Sequence, residues 1–241
     1  HDTPAQNVVH AWKANGGTRT TFNESGNNPA GGYQANTTAG FSIVDYTGTG
    51  AQGTIAHGLG VAPTVVICKG RDDGHSWIVG HTGLGSTFTH DLILNNSDAK
   101  ADDDNAFGDT APTSSVFTVK DAGGTNQDGE KFIAYCFAPI QGYSKFGSYT
   151  GNGSTDGSFV YTGFSPAWVM VKRTDSGNNW HMHDNKRVPY NSNNKTLYAN
   201  LTNTEGTEDF DMLSNGFKLR ESGGGYNASG GTYIYMAFAH H

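Results

Sequence analysis

The chain carries the same sequence pattern twice, and this duplication limits what it can fold into. Tyr46-Thr-Gly-Thr-Gly50 returns as Tyr149-Thr-Gly-Asn-Gly153, a step of 103 residues (149 − 46). Three anchors held in one register indicate a duplicated unit, and repeats determine architecture before any short motif can be interpreted. The anchors that share this step are Tyr46 and Tyr149, Pro63 and Pro166, and Trp77 and Trp180.

The residues between these anchors favour strands over helices. The 241 residues include 34 glycines, and only 15% are charged. Short β-branched and aromatic runs alternate with Gly, Asn, Asp and Ser clusters, which is typical of strands and turns. The run 64–69 is continuously apolar after Pro63, so it predicts a central strand buried on both faces. We predict an all-β protein of tandem, duplicated β-sandwich-like modules, jelly-roll or lectin-like, joined as beads on a string.

The repeat also predicts the domain boundaries. Residues 1–14 resemble the closing strand of a preceding module, and the absence of an initiator Met suggests a piece of a longer protein. Residues 15–40, rich in Gly, Thr and Asn, are predicted to form a linker. Modules 1 and 2 then occupy residues 41–140 and 141–241.

The two copies differ most in one region each. The step falls from 103 to 100 or 101 in the second half of the unit, so the length difference lies within 80–115 and 183–214. Variable loops on a rigid scaffold often carry binding function. Tyr rings stack on sugars while amides and carboxylates bind hydroxyl groups, so these regions supply our candidate ligand-binding residues. The candidates are His81, Asp91, Asn95, Asn96, Asp184, Tyr190, Tyr198 and Asn200.

Two motifs fit a known chemistry in form but not in context. Gly48-Thr-Gly-Ala-Gln-Gly53 matches the dinucleotide fingerprint, yet the residues after it do not form a helix, so we predict a hairpin turn. His181-Met-His183 places two imidazoles on one strand face, a possible metal pair. The first copy has Ile78 and Gly80 there, so we predict exposed polar residues at a strand end and no metal.

Other features exclude several function classes. Asp98–Asn105 is an acidic loop that is compatible with calcium but lacks EF-hand spacing, so we expect a solvated loop and no cofactor. Cys68 and Cys136 align with Val171 and Ala237, which indicates buried free thiols. A net charge of −7 without a basic patch argues against nucleic-acid binding, and the longest apolar run is too short for membrane insertion. No Gly-x-Ser-x-Gly motif is present, and we predict that the protein is not an enzyme.

Longer strings in the chain resemble a known family. Gly40-Phe-Ser-Ile-Val-Asp-Tyr-Thr-Gly-Thr-Gly50 and Asn227-Ala-Ser-Gly-Gly-Thr-Tyr-Ile-Tyr-Met-Ala-Phe-Ala239 are similar to repetitive virion proteins of tailed, especially marine, bacteriophages. The resemblance implies a virion surface location, contacts with other virion proteins and self-association. It brings no catalytic residue to this chain.

Together these expectations favour adhesion. We expect a segment of a tail fibre or tail tip that presents loops to a host surface glycan or protein, with a homotrimer favoured. Two alternatives remain open: a capsid decoration or fibre spacer with a purely structural role, and a polysaccharide-degrading tail enzyme.

Overall fold

A computed structural model describes residues 9–240, and almost all of its regular structure is strand. The all-β, sandwich-like prediction is confirmed. A 3₁₀ turn spans Thr82–Leu84, and two helices of four residues span Asp104–Phe107 (α1) and Gly123–Asn126 (α2). The strands are β1 Thr20–Phe22, β2 Gly31–Asn36, β3 Phe41–Thr47, β4 Gly53–Ala56, β5 Val65–Gly70, β6 Ile78–His81, β7 His90–Ile93, β8 Ala101–Asp102, β9 Val116–Val119, β10 Lys131–Phe137, β11 Ser144–Thr150, β12 Phe159–Tyr161, β13 Pro166–Arg173, β14 Trp180–Asp184, β15 Asn193–Tyr198, β16 Gly206–Leu213, β17 Gly216–Leu219 and β18 Thr232–Ala239.

Strand order repeats along with sequence. In module 1 the main sheet runs β1-β2-β3-β10-β5-β6-β7-β8, and in module 2 it runs β11-β18-β13-β14-β15-β16-β17-β12. The six strands from β3 to β8 in the first order correspond to the six from β11 to β16 in the second. Module 1 differs at the far end, where α1 stands between β8 and β9 and the β4–β9 pair forms a separate sheet. The duplication therefore extends to topology, and the copies diverge in the region of unequal length.

One buried asparagine in each module explains the repeated Tyr-Thr-Gly-x-Gly turn. The amide oxygen of Asn126 accepts a hydrogen bond from the Thr49 N–H at 3.0 Å, and its amide nitrogen donates to the Ala51 carbonyl at 2.7 Å. Asn227 repeats the first bond with the Asn152 N–H, also at 3.0 Å. Both Asn side chains are fully buried. Each asparagine ends a Gly-Gly-x-Asn motif, at 123–126 in module 1 and at 224–227 in module 2, and this motif holds the distant turn in place.

Strands at the centre of each sheet are buried on both faces. In β18, Tyr235 and Ala237 point into the core of module 2, while Ile234 and Met236 point the opposite way into a second apolar cluster. β5 alternates in the same manner, and the prediction that this strand is buried on both faces is confirmed.

The second cluster is shared by the two modules. It joins Val65, Ile67 and Leu92 of module 1 to residues of β13, β14 and β18. Phe137 and Phe238, which are equivalent in the repeat, face each other with ring centroids 6.0 Å apart. The beads-on-a-string prediction is wrong, because the modules pack sheet against sheet around this common core.

The predicted linker contains regular structure. Residues 15–40 include β1 and β2, which extend the module 1 sheet by pairing outward from β3. Residues 9–14 are outside any strand, and Trp12 packs against Phe137, Trp168 and Phe238. The rest of the predicted strand remnant, residues 1–8, lies outside the described residues.

Three further sequence predictions have a structural outcome. The segment after Gly48-x-Gly-x-x-Gly53 continues as β4, so no nucleotide-binding helix follows it. It is not a hairpin turn, however, because β3 pairs with β2 and β10 while β4 pairs with β9. Cys68 and Cys136 are both free and buried, as predicted. Among residues 9–240, no helix is long and apolar enough to cross a membrane.

Candidate functional site

An aromatic cleft lies where the N-terminal segment crosses the end of module 2. Its volume is about 340 Å³. One wall is formed by residues 9–12, and the other by the start of β13, the end of β14 and the end of β18. Its lining side chains are those of Val9, His10, Ala11, Trp12, Tyr143, Ala167, Trp168, Asp184, Asn185, Lys186, Phe238, Ala239 and His240.

The aromatic rings of the cleft support one another at steep angles. Trp12 meets Trp168 at 5.4 Å with an interplanar angle of 79°, and it meets Phe238 at 5.4 Å and 58°. His10 lies 5.7 Å from the Trp168 ring. Edge-to-face and tilted contacts of this kind stabilise aromatic clusters. They hold the Trp12 ring, which remains partly exposed, in a defined position at the cleft.

Three polar atoms of the cleft residues lack a partner in the described part of the chain. The indole N–H of Trp168, the Nε2 atom of His10 and the amide Oδ1 atom of Asn185 are buried, and none of them makes a hydrogen bond with any of residues 9–240. Trp168 is 92% buried (8% exposed), so its unpaired donor carries a desolvation cost of roughly 1–3 kcal/mol. Buried polar groups without partners are uncommon in native proteins and call for an explanation.

Charge in the cleft is fixed by an Asp–Arg pair. The Asp184 carboxylate accepts hydrogen bonds from the backbone N–H and the guanidinium of Arg187, and the same guanidinium reaches Glu205 at 2.9 Å. Burial alone would raise the pKa of Asp184, but these hydrogen bonds outweigh it and lower the pKa. Burial lowers the pKa of His10, so its imidazole is neutral at pH 7. The cleft thus offers uncharged donors and acceptors beside one neutralised carboxylate, and the exposed side chain of Lys186 adds a positive charge.

Of the predicted ligand-binding residues, Asp184 lines the aromatic cleft, and several others have structural roles. Asn95 accepts a hydrogen bond from the Trp77 N–H at 2.9 Å, and Asn200 accepts one from the Trp180 N–H at 3.0 Å. These contacts are equivalent in the two modules and fix the start of the strand that follows β5 or β13.

The remaining predicted residues are dispersed. His81 is fully buried, with Nδ1 accepting from the Gly83 N–H and Nε2 3.4 Å from the Tyr235 carbonyl across the module boundary. Asp91 is buried in β7, and burial raises its pKa to about 6. The others are Asn96, bonded to Asp98, Tyr198, whose hydroxyl lies 3.4 Å from Glu208, and Tyr190, which is 81% exposed.

Two sequence interpretations of module 2 need correction. The variable region 183–214 contains β15 and β16 and is not mainly loop. His181 and His183 are buried, although exposed residues were predicted. His181 is held by Glu208 at 2.6 Å, and His183 stacks on Phe210 at 4.4 Å. The physical reason is that their side of β14 faces the module core, so the imidazoles pack there as flat, partly apolar rings.

Sequence reasoning missed the cleft because its two walls come from segments placed in other roles. Trp12 lies in the segment 1–14 that was predicted to be a strand remnant, and Trp168 lies just after Pro166, in the counterpart of the predicted central strand 64–69. One signal was present in the repeat itself. The position equivalent to Trp168 is Val65 (168 − 103), so an indole N–H occupies a place where the first copy needs only an aliphatic side chain.

Fold and cleft together define a duplicated all-β protein with an aromatic, hydrogen-bonding concavity. The chain belongs to a family described as a domain of unknown function, DUF7483, whose match spans residues 2–241 and therefore both modules. A search of curated proteins found no match, and neither did a search of solved structures.

Proposed function

We propose that the protein is a non-enzymatic virion component of a bacteriophage that adheres to a host surface glycan through the aromatic cleft. The virion setting rests on the resemblance of the repeated strings to phage virion proteins. The glycan rests on the chemistry of the cleft. Association of three copies of the chain, together with contacts to other virion proteins, would place several weak binding sites side by side and raise the avidity.

The single observation that carries the ligand class is the set of unpaired polar atoms beside exposed aromatic surface. Trp168 supplies a donor, Asn185 an acceptor and His10 either role. A sugar ring has hydroxyl groups that both donate and accept, and an apolar C–H face that stacks on indole. A purely apolar ligand would leave these atoms unsatisfied, and a cationic ligand would find no free countercharge in Asp184, because Arg187 already pairs with that carboxylate.

An array of bacterial surface oligosaccharides, probed with the full chain in its native oligomeric state, tests this proposal. We expect binding by the wild type and loss of binding by Trp12→Ala, which removes the stacking surface. Trp168→Phe keeps a ring but removes the N–H, and should weaken binding by about threefold to tenfold, the value of one neutral hydrogen bond.

Tyr190→Ala is the matched control, because this aromatic side chain is highly exposed and is not among the residues that line the cleft. It should bind as the wild type does. Absence of binding by the folded wild-type oligomer would refute adhesion to these glycans and favour a structural spacer. Release of new reducing ends from a bound polysaccharide would instead support the enzymatic alternative.

A further inference from the structure

A second group of polar side chains comes together in module 1, although its members are remote from one another in sequence. Asp73 and His75 lie in the turn after β5, and Glu130 immediately precedes β10. Their ligand-type atoms all lie within 4.8 Å of one another. His75 Nε2 is 2.9 Å from Asp73 Oδ2 and 3.1 Å from the amide oxygen of Gln127.

Two of the oxygens in this cluster are poorly satisfied. Asp73 Oδ2 and Glu130 Oε2 are buried atoms, and in the described part of the chain neither accepts a hydrogen bond of good geometry. Lys69 approaches the other oxygen of Asp73, Oδ1, at 4.0 Å and so leaves Oδ2 directed at the cluster. Two carboxylates this close require either a shared proton or a cation.

We propose that Asp73, His75 and Glu130 bind one divalent cation of the zinc or manganese class, with the Gln127 amide oxygen as a fourth ligand. One imidazole nitrogen with carboxylate and amide oxygens is a mixed donor set that suits these ions better than sulfur-preferring or all-oxygen ones. Ligands about 2.1 Å from a tetrahedral ion lie about 3.4 Å apart. The ligand atoms of Asp73, His75 and Glu130 lie within 4.8 Å of one another, so they must approach by up to about 1.4 Å through side-chain rotation.

The site belongs to module 1 alone. The repeat places Ser176, Asn178 and Gly231 at the equivalent positions (73 + 103, 75 + 103 and 130 + 101), so module 2 lacks all three ligands. An ion here would tie the turn after β5 to the start of β10. It would stabilise that end of module 1 and would not contact the aromatic cleft, whose lining residues are different.

Calorimetric titration of the full chain with Zn²⁺ and with Mn²⁺ tests the proposal. Other histidines also bind Zn²⁺, so the informative quantity is the difference between variants. Asp73→Asn and His75→Gln should each lose one equivalent of binding or weaken it at least about tenfold. The matched control is Asp72→Asn, which makes the same charge change next door but removes only an ion pair with Lys131.

Thermal melting gives an independent readout. Added ion should raise the melting temperature of the wild type and of Asp72→Asn, and leave that of Asp73→Asn unchanged. If neither ion binds the wild type, or if all variants bind equally, the proposal is refuted and a shared proton holds the Asp73–Glu130 pair.

Discussion

Substitution of one core residue in module 1 should lower the free energy of unfolding of module 1 and of module 2 by the same amount. Ile55 is fully buried in the module 1 core and is not part of the shared cluster. Ile55→Ala removes three carbons, about 2.4 kcal/mol at about 0.8 kcal/mol each. The cavity left behind brings the expected loss to about 3 kcal/mol. In a chain of this size this lowers the melting temperature by about 6–12 °C.

Calorimetry and hydrogen exchange measure the effect at two levels. We expect one endotherm in both proteins, displaced as a whole in Ile55→Ala. Amides of β17, deep in module 2, should lose protection by the same free energy, because the shared core makes unfolding of one module costly for the other. Val61→Ala, a substitution at a half-exposed position, is the control and should change stability by less than about 0.5 kcal/mol. Two endotherms, with β17 protection unchanged, would refute the reasoning.

Two further predictions concern acid stability and the repeated turn. Burial lowers the pKa of His81 to about 4, below the unfolded value of 6.5, so the folded state binds fewer protons and its stability is lost as pH falls below 6.5. Between pH 7.5 and 5.5 the titration of His81 lowers the free energy of unfolding by about 1.4 kcal/mol. Urea unfolding at both pH values should therefore show a decrease that is larger by this amount in the wild type than in His81→Gln. Equal decreases would contradict the lowered pKa of His81. Asn227→Ala should destabilise the protein by about 3 kcal/mol in urea unfolding, because it leaves three partly buried backbone groups without their partner, whereas Asn191→Ala, at an exposed position, should have a smaller effect.

The sequence predicts the strands well because their signals are local. β-branched and aromatic runs, Gly-rich turns and the Pro63 and Pro166 positions define the strand content, and the 103-residue step predicts that both modules share a topology. The continuous apolar character of β5 also predicts burial on both faces. What covers the second face is a long-range property, and no local pattern shows that the other copy covers it.

The site predictions fail for a related reason. Asn95 and Asn200 were selected for their amide chemistry, but each amide is already occupied by a backbone N–H from a strand start about twenty residues earlier in the chain. Composition cannot distinguish an amide that is used internally from one that is available to a ligand. The cleft depends on Trp12 and Trp168, which approach each other only in the folded chain.

The facing pair Phe137 and Phe238 has a consequence for the history and the handling of this protein. When equivalent residues of two copies meet, the copies are related as the subunits of a two-fold dimer are, by a self-complementary surface. A single module that carries this surface would therefore be able to pair with a second copy of itself. We expect that a single module cut out near residue 141 would expose the face that carries Ile234 and Met236, and that it would pair with itself or aggregate.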